Sequence, residues 1–130
     1  MGAYATRAEL AVHGIGTKFL AGVSTPDQDA ALVAASRAAD MYLRSRYAVP
    51  IAAWQEDLTR LVCHIAAWDL YSTRRVAGDE DDGIERRSRA AVVMLRDVSE
   101  GKAHLAGITE SASESWPQTI GAVSDESRGW

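Results

Sequence analysis

Two adjacent residues in the middle of the chain, Cys63 and His64, are candidates for metal binding or nucleophilic catalysis. A thiolate and an imidazole both bind zinc, and a histidine can act as the base that activates a cysteine. Neighbouring positions on a predicted helix, however, turn these two side chains roughly 100° apart. His13 and His104 have no partner ligand one helical turn away, and a structural zinc site needs about four ligands. The sequence therefore predicts no metal site and no cofactor.

Cys63 alone is a weak candidate for catalysis, because a nucleophilic cysteine needs a base and an orienting group close in space. No signature of a cysteine enzyme family surrounds it. Its position near an apolar helical stripe favours packing in the core, where a free cysteine is ordinary. We therefore expect no catalytic residue and no enzymatic activity.

Two short segments have some features of phosphate-binding or calcium-binding loops. Residues 14–18 contain two glycines and a lysine, but they lack the spacer of a phosphate loop and follow a helix instead of a strand. The acidic run 79–82, followed by Gly83, lacks the alternating ligands and the closing glutamate of a calcium loop. Both segments are predicted to be ordinary connections, the first ending a helix and the second preceding one.

Arginines cluster at the ends of the predicted helices. Arg74 and Arg75 close the third helix, and Arg86 and Arg87 open the fourth. Most such side chains form solvated faces, whose exposed ion pairs stabilise a protein very little. In an assembly of copies, however, arginines can pair with acidic surfaces of neighbouring subunits and fix their register. We take these four arginines as candidate interface residues.

Beyond about residue 107 the sequence becomes rich in Ser, Glu, Gly and Thr and has no helical stripe. Such a segment is expected to be disordered in isolation. It nevertheless contains large apolar side chains, and tryptophan is enriched at the hot spots of interfaces. We expect these side chains to dock on another subunit or a partner protein, the alternative being their own domain. The candidate interface residues of this tail are Trp116, Pro117, Ile120, Val123 and Trp130.

Charge and composition disfavour several classes of function. The formal net charge of −4 argues against a subunit that grips DNA by itself, since such domains usually carry a basic surplus. The single cysteine allows no internal disulfide and fits a reducing compartment. No apolar stretch approaches the roughly 18–20 residues that cross a bilayer, and the N-terminus lacks the pattern of a signal peptide. These features predict a cytoplasmic protein without a membrane contact.

The predicted fold is all-α, a compact bundle of about four helices with an extended C-terminal tail. Alanine dominates an apolar share of 47%, and both β-branched runs and prolines are few, which favours helices over strands. We expect residues 1–106 to form the helical domain and residues 107–130 to form the tail or arm.

Capping signals mark the first two helices. The first begins with a capping box of Thr6 and Glu9 and ends at the glycines that follow. The second is predicted to start at an N-cap Thr25, with proline in the first helical position. It is expected to run to about Arg46 or Tyr47, because a proline shortly afterwards bars its continuation.

The third helix is predicted to begin between Ala52 and Gln55 and the fourth near Gly83 or Ile84. Gly101 is a natural residue to end the fourth helix, and Leu105 is expected to fold back onto the core. Each helix has an apolar stripe at helical spacing. In the third it consists of Leu58, Leu61, Val62, Ile65 and Trp68 or Asp69, and in the fourth of Ile84, Ser88, Ala91, Val92, Leu95 and Val98.

Two stretches of the chain follow recognisable patterns. Residues 40–50 fit D-x-Y-L-x-x-R-Y-x-x-P, and residues 58–71 fit L-x-x-x-x-C-x-I-A-x-x-x-L-Y. Residues 4–6, 95–96 and 101–102 agree as well. On these residues, and over about positions 3 to 105, the chain resembles the Mu-like prophage family of small neck proteins. The patterns are structural, so they indicate a fold more firmly than an activity.

The resemblance implies a head-to-tail adaptor of a tailed phage, also called a head-completion protein. Such proteins form a ring, commonly dodecameric, beneath the portal and continue the DNA channel. The implied partners are other copies of the chain, the portal protein and the next neck or tail protein, a stopper or a tail terminator. DNA would be passing cargo only. The chain would lie in the neck of the virion after assembly in the host cytoplasm, and residues 107–130 could embrace the portal.

Physical reasoning fits this implication. A compact helical wedge can repeat around a closed ring by heterologous contacts, and an acidic balance keeps a channel wall from trapping DNA. Two alternatives come from other classes of protein. A small helical DNA-binding or packaging accessory protein would bind DNA tightly and with a steep salt dependence. A small enzyme would need a pocket with strongly shifted titratable groups.

Overall fold

The computed structural model describes residues 3–74 and 83–106, and all regular secondary structure in these residues is helical, which confirms the all-α prediction. The three long helices of the bundle follow two short ones near the N-terminus. In chain order the elements are α1 (Arg7–Glu9), which continues into a π-helical turn (Leu10–Gly14), α2 (Thr17–Leu20), α3 (Thr25–Leu43), α4 (Glu56–Arg74) and α5 (Ile84–Ser99).

The predicted capping box of α1 is confirmed. Thr6 Oγ1 accepts from the Glu9 backbone N–H at 3.2 Å, and Glu9 Oε1 accepts from the Thr6 N–H at 2.9 Å. The helix then widens into the π-helical turn, which the sequence did not predict. This turn packs closely on α4 because Gly14 has no side chain: a Cβ there would lie 2.9 Å from the Cys63 carbonyl oxygen.

Both predicted ends of α3 need correction. The N-cap is Ser24 and not Thr25, because Ser24 Oγ accepts from the backbone N–H of Asp27, three residues further on, at 3.3 Å. The helix ends at Leu43, earlier than predicted. The side chains of the residues that follow hold the far end of the bundle, as described below. The Val49–Pro50 peptide bond that follows is cis.

α4 lies at the centre of the bundle, where α3, α5 and the π-helical turn all pack against it. It begins at Glu56, one residue after the predicted range. Its predicted stripe is partly wrong, because Asp69 is exposed and three large side chains are only partly buried: Leu61, Ile65 and Trp68. The buried face is instead Leu58, Thr59, Val62, Cys63, Ala66, Ala67, Leu70 and Tyr71. The short side chains of this face, above all Ala66 and Ala67, let the neighbouring elements approach closely.

α5 agrees with its predicted start, stripe and end. The buried residues are Ile84, Ser88, Ala91, Leu95 and Val98, and Val92 is half-buried beside them. Gly101, just past the end of the helix, has a φ of +82°, the left-handed conformation that favours glycine. Leu105 folds back onto the core and is 4% exposed, as predicted.

Several expectations lie outside the described residues, among them the acidic run 79–82, Arg75, the interface residues of the tail and the proposed division of the chain at residue 107. Within residues 3–74 and 83–106, no helix combines the length and apolarity that crossing a bilayer requires.

Candidate interaction surface

A buried tyrosine ties the N-terminal segment to three parts of the bundle. The Tyr4 hydroxyl donates to Asp40 Oδ1 at 2.6 Å and accepts from the Ile51 backbone N–H at 2.8 Å. Its backbone N–H donates to Ser36 Oγ, and its carbonyl accepts from Thr59 Oγ1, both at 2.9 Å. One residue thereby joins α3, the α3–α4 connection and α4. Its polar groups are used for structure.

The residues that follow α3 fasten the far end of α5. Arg46 Nε donates to the Ser99 carbonyl at 3.3 Å, and the Tyr47 hydroxyl accepts from the Leu105 backbone N–H at 3.0 Å. Both residues belong to the 40–50 pattern, as does Asp40. The pattern therefore specifies how the ends of the bundle are joined.

The cysteine and its neighbouring histidine are in surroundings that disfavour their charged forms. Cys63 is fully buried, and burial, together with the charge of Glu9, raises the pKa of its thiol to about 12. Burial is also the main cause that lowers the pKa of His64, followed by the charges of Arg87 and Arg60. At neutral pH the thiol is protonated and the imidazole neutral. Across the described ranges, no three His, Cys, Asp or Glu side chains are placed to hold a metal ion.

The predicted interface arginines within the described residues differ in their surroundings. The Arg74 guanidinium pairs with Asp27 at the start of α3, with an N–O distance of 3.0 Å. Arg87 Nη2 donates to the Gly14 carbonyl at 3.4 Å, so this side chain helps to end the π-helical turn. Arg86 is exposed to solvent. The other predicted interface residues lie outside the described residues: Arg75, Trp116, Pro117, Ile120, Val123 and Trp130.

A groove of about 500 Å³ runs between α4, α5 and the residues that follow α5. Its apolar lining consists of Leu61, Met94, Val98 and Leu105. Met94 is 45% exposed, a large fraction for a side chain of this size and apolarity. An apolar concavity of this volume on a small helical domain is typical of a binding surface.

Of the charged groups that line this groove, the two carboxylates have partners within the described part of the chain, where the arginine forms no ion pair. Glu56 lies 3.4 Å from His13 Nε2, and both carboxylate oxygens of Asp57 accept from backbone N–H groups, one of them that of Ala106 at 2.8 Å. Arg60 is exposed and forms no ion pair with the described residues. The groove therefore offers one available cation beside an apolar floor. We call it the α4–α5 groove.

Formal charge divides sharply between parts of the chain. The described residues contain twelve Lys and Arg and ten Asp and Glu, a net charge of +2. Residues 75–82 and 107–130 each have a net charge of −3, which gives −4 for the whole chain. The helical bundle is thus weakly basic, and the acidity lies in the two segments outside the described residues.

Sequence reasoning missed both the groove and this division. The groove joins Leu61 to Met94, which are far apart in the chain and come together only in the packed bundle. One signal was available: the predicted α4 stripe was too wide for a single buried face, so part of it had to line a surface. Counting charge segment by segment would have shown the division.

Comparison with known proteins gives the family. The family model described as "Bacteriophage Mu, Gp36" matches residues 4–122. The match covers nearly the whole chain and extends past the resemblance drawn above, well into the tail. A search among curated proteins found no match. The chain belongs to the bacteriophage Mu Gp36 family and is a phage protein.

Proposed function

We propose that this chain is a structural subunit of the phage neck, a head-to-tail adaptor that acts as a ring. The observation that carries the proposal is the family match over residues 4–122. In this proposal, copies of the chain close into a ring, commonly dodecameric, beneath the portal. The ring continues the DNA channel and presents a surface to the next neck or tail protein, a stopper or a tail terminator. It lies in the neck of the virion and is assembled in the host cytoplasm.

The use of polar side chains supports a structural role without catalysis. Tyr4, Asp40 and Tyr47 are buried and hydrogen-bonded to their own chain. The only cysteine is buried with a raised pKa, which is unfavourable for a nucleophile. We therefore extend the proposal to the absence of enzymatic activity and of a cofactor. The chemistry then lies in surfaces that fit other proteins.

The charge division refines the expected channel. A weakly basic bundle alone would attract passing DNA, whereas phosphates are repelled by acidic segments. If residues 75–82 or 107–130 face the lumen, DNA passes as cargo without being held. In this proposal, the repulsion of DNA comes from those two acidic segments and not from the helices.

Native mass spectrometry of the full chain, alone and mixed with its portal protein, tests the proposal. We expect a discrete ring with a fixed number of copies on the portal. A chain that stays monomeric and never joins the portal would refute the adaptor role. Removal of residues 107–130 tests the tail in addition: if heads and tails still join normally, the tail is not needed for neck assembly.

A second candidate, a DNA-binding or packaging accessory protein, is favoured by one surface. Arg86, Arg89 and Arg96 are all exposed along α5, although Arg89 pairs with Glu85. Filter binding of the full chain to duplex DNA separates the candidates when it is measured at about 50 mM and about 200 mM salt. Tight binding that weakens steeply with salt would favour the second candidate. Weak binding at both concentrations would favour the adaptor.

A further inference from the structure

We propose that α3 of one copy inserts Met41 into the α4–α5 groove of a second copy, and that the arginines on either side of Met41 lie near the carboxylates of that groove. The proposal rests on the proposed ring and names the contact between neighbouring copies. Both surfaces belong to the described residues, so their exposure and charge can be compared directly.

One side of α3 carries a stripe of residues that face solvent. It consists of Ala34, Arg37, Met41 and the C-cap Arg44, spaced by three and four residues, and we call it the α3 stripe. Met41, in its middle, is 70% exposed. Arg37 and Arg44 lie one helical turn before and after it, and neither forms an ion pair with the described residues. Methionine and arginine are both enriched in protein–protein interfaces, so this stripe has the composition of one.

The α4–α5 groove has an apolar floor that a methionine side chain can fill. Leu61, Met94 and Val98 line the floor, and Met94 is 45% exposed. An unbranched thioether side chain adapts to an irregular apolar surface because it has several rotatable bonds. Insertion of Met41 would therefore remove apolar area of both methionines from water.

The charges of the groove and of the α3 stripe are opposite in sign. With histidines counted as neutral, the groove carries the carboxylates of Glu56 and Asp57 and one arginine, Arg60, a net charge of −1. The Glu56 side chain is 68% exposed, so its carboxylate is open to a further cation although His13 lies 3.4 Å away. The α3 stripe has a net charge of +2. The groove thus fits a basic partner with an apolar centre.

The structure excludes the same copy as the occupant. Met41 is largely exposed, and no described residue of α3 lines the groove. Each copy therefore presents the α3 stripe and the groove at the same time, on different helices. A contact between two different surfaces is heterologous, and it repeats from copy to copy until a ring closes. This is the kind of contact that the proposed adaptor requires.

Val93 on α5 has a similar setting and provides a matched comparison. It is also an exposed apolar residue between two arginines, Arg89 and Arg96, at the same spacing as in the α3 stripe. Val93 is shorter and only 44% exposed, and Arg89 is already paired with Glu85. The α3 stripe is therefore the better match to the groove, since its apolar side chain reaches further and its cations are available.

Photo-crosslinking from the α3 stripe tests the proposal with the full chain. Met41 is replaced by p-benzoylphenylalanine, and this variant is mixed with an excess of ¹⁵N-labelled wild-type chain before assembly on the portal. Mass spectrometry identifies the crosslinked peptide and its isotope. We expect a ¹⁵N-labelled peptide that contains groove residues of α4 or α5. An unlabelled peptide from the same chain, or a peptide from any other region or protein, would overturn the proposal.

Truncation of the inserted side chain gives a second measurement, the chain concentration at which rings form. Met41→Ala should raise this concentration at least about tenfold, as expected when the anchor of an interface is removed. Val93→Ala is the control and should change it less than about twofold. Because both side chains are exposed, circular dichroism should show that both variants fold. Equal shifts for the two variants would contradict the choice of Met41.

Two substitutions in the groove test the sign of the charge match. Glu56→Lys should raise the concentration for ring formation about threefold, and Arg60→Glu should lower it about threefold, in the range of exposed ion pairs. Arg60→Glu makes an acidic chain more acidic, so general repulsion between copies would act in the opposite direction. Arg96→Glu, outside the groove, is the control for that repulsion. Weaker assembly of Arg60→Glu would refute the charge match.

Native mass spectrometry of the same samples separates this contact from the adaptor role. A wild-type ring that forms while Met41 crosslinks elsewhere refutes only the contact. The absence of any wild-type ring refutes the adaptor role and the contact together.

Discussion

Replacing Tyr4 by phenylalanine removes the hydroxyl that joins the N-terminal segment to the bundle and leaves the ring in place. The ring contacts Trp54 edge-on, with a centroid distance of 4.9 Å, and this contact is retained in the variant. Two hydrogen bonds are lost: the one to Asp40 at 2.6 Å and the one from the Ile51 N–H at 2.8 Å. Tyr4→Phe therefore isolates the contribution of a single oxygen atom.

The expected loss follows from the two partners that the hydroxyl leaves behind. A hydrogen bond to a charged group contributes about 1.5–3 kcal/mol, and a buried polar group without a partner costs about 1–3 kcal/mol. Asp40 is 7% exposed, so water replaces the lost donor only in part. We expect the free energy of unfolding to fall by about 3 kcal/mol, a large share of the roughly 5–15 kcal/mol typical of a domain.

Urea unfolding followed by circular dichroism measures this loss. With a slope of about 2 kcal/mol per molar urea, the midpoint should fall by about 1.5 M. Tyr42→Phe is the matched control, because the Tyr42 hydroxyl forms no hydrogen bond with the described residues, and its midpoint should stay near that of the wild type. A loss for Tyr4→Phe below about 1 kcal/mol, or one equal to that of the control, would refute the reasoning.

The same hydroxyl predicts a loss of stability at alkaline pH. Burial, followed by the hydrogen bond to Asp40, raises the pKa of Tyr4 from 10.0 to about 12. The resulting stabilisation is complete below pH 10 and disappears as the pH rises towards 12, because the unfolded chain loses the proton first. A shift of this size corresponds to about 3 kcal/mol. Tyr4→Phe should show a correspondingly smaller loss between pH 10 and 12 than Tyr42→Phe, and equal losses would contradict the assignment.

Three further tests, each with its own comparison, address other parts of the fold. Gly14→Ala should destabilise the protein by about 1–3 kcal/mol in urea unfolding, because the added Cβ would lie 2.9 Å from a backbone carbonyl oxygen of α4. Gly16→Ala, with no atom within 4 Å of its Cβ, should cost less than about 1 kcal/mol. Ser24→Ala should cost about 1 kcal/mol, and Thr25→Ala less than about 0.5 kcal/mol, in the same assay. A larger loss of stability for Thr25→Ala than for Ser24→Ala would show that Thr25, as first predicted, is the N-cap. Iodoacetamide should modify Cys63 only through unfolding, since the thiol is fully buried and its pKa is raised to about 12; rapid labelling without urea would show an accessible thiol.

Local features of the fold were predictable because they depend on residues close in the sequence. The Thr6–Glu9 capping box spans three residues, and Gly101 needed only its place after a helical stripe. The stripe of α5 was also correct, since this helix buries one face only. The N-cap of α3 shows the limit of such predictions, since it is Ser24 and not the predicted Thr25. Two good capping residues stand side by side, and the choice depends on backbone geometry that sequence does not specify.

The parts that sequence reasoning missed depend on packing between distant segments. α4 is covered from three directions, so its periodicity alone could not tell which face meets which neighbour. α3 ends at Leu43, before Tyr47, whose hydroxyl contacts Leu105, 58 residues further along the chain. The α4–α5 groove likewise exists only after α4 and α5 have packed. The periodicity of apolar residues indicates which face of a single helix is buried, whereas these features depend on how several helices pack together.

The separation between buried pattern residues and exposed groove residues leads to two distinct ways of losing function. Asp40 and Tyr47 contact their own chain, so in the proposed adaptor a substitution at either would reduce assembly by raising the unfolded fraction. Such a defect should grow with temperature and disappear when the chain is stabilised. A substitution at Arg60, which is exposed in the α4–α5 groove, should leave the free energy of unfolding nearly unchanged and act only through what this surface binds. Measuring unfolding and assembly on the same variants therefore shows whether a residue acts through the fold or through the surface that the fold presents.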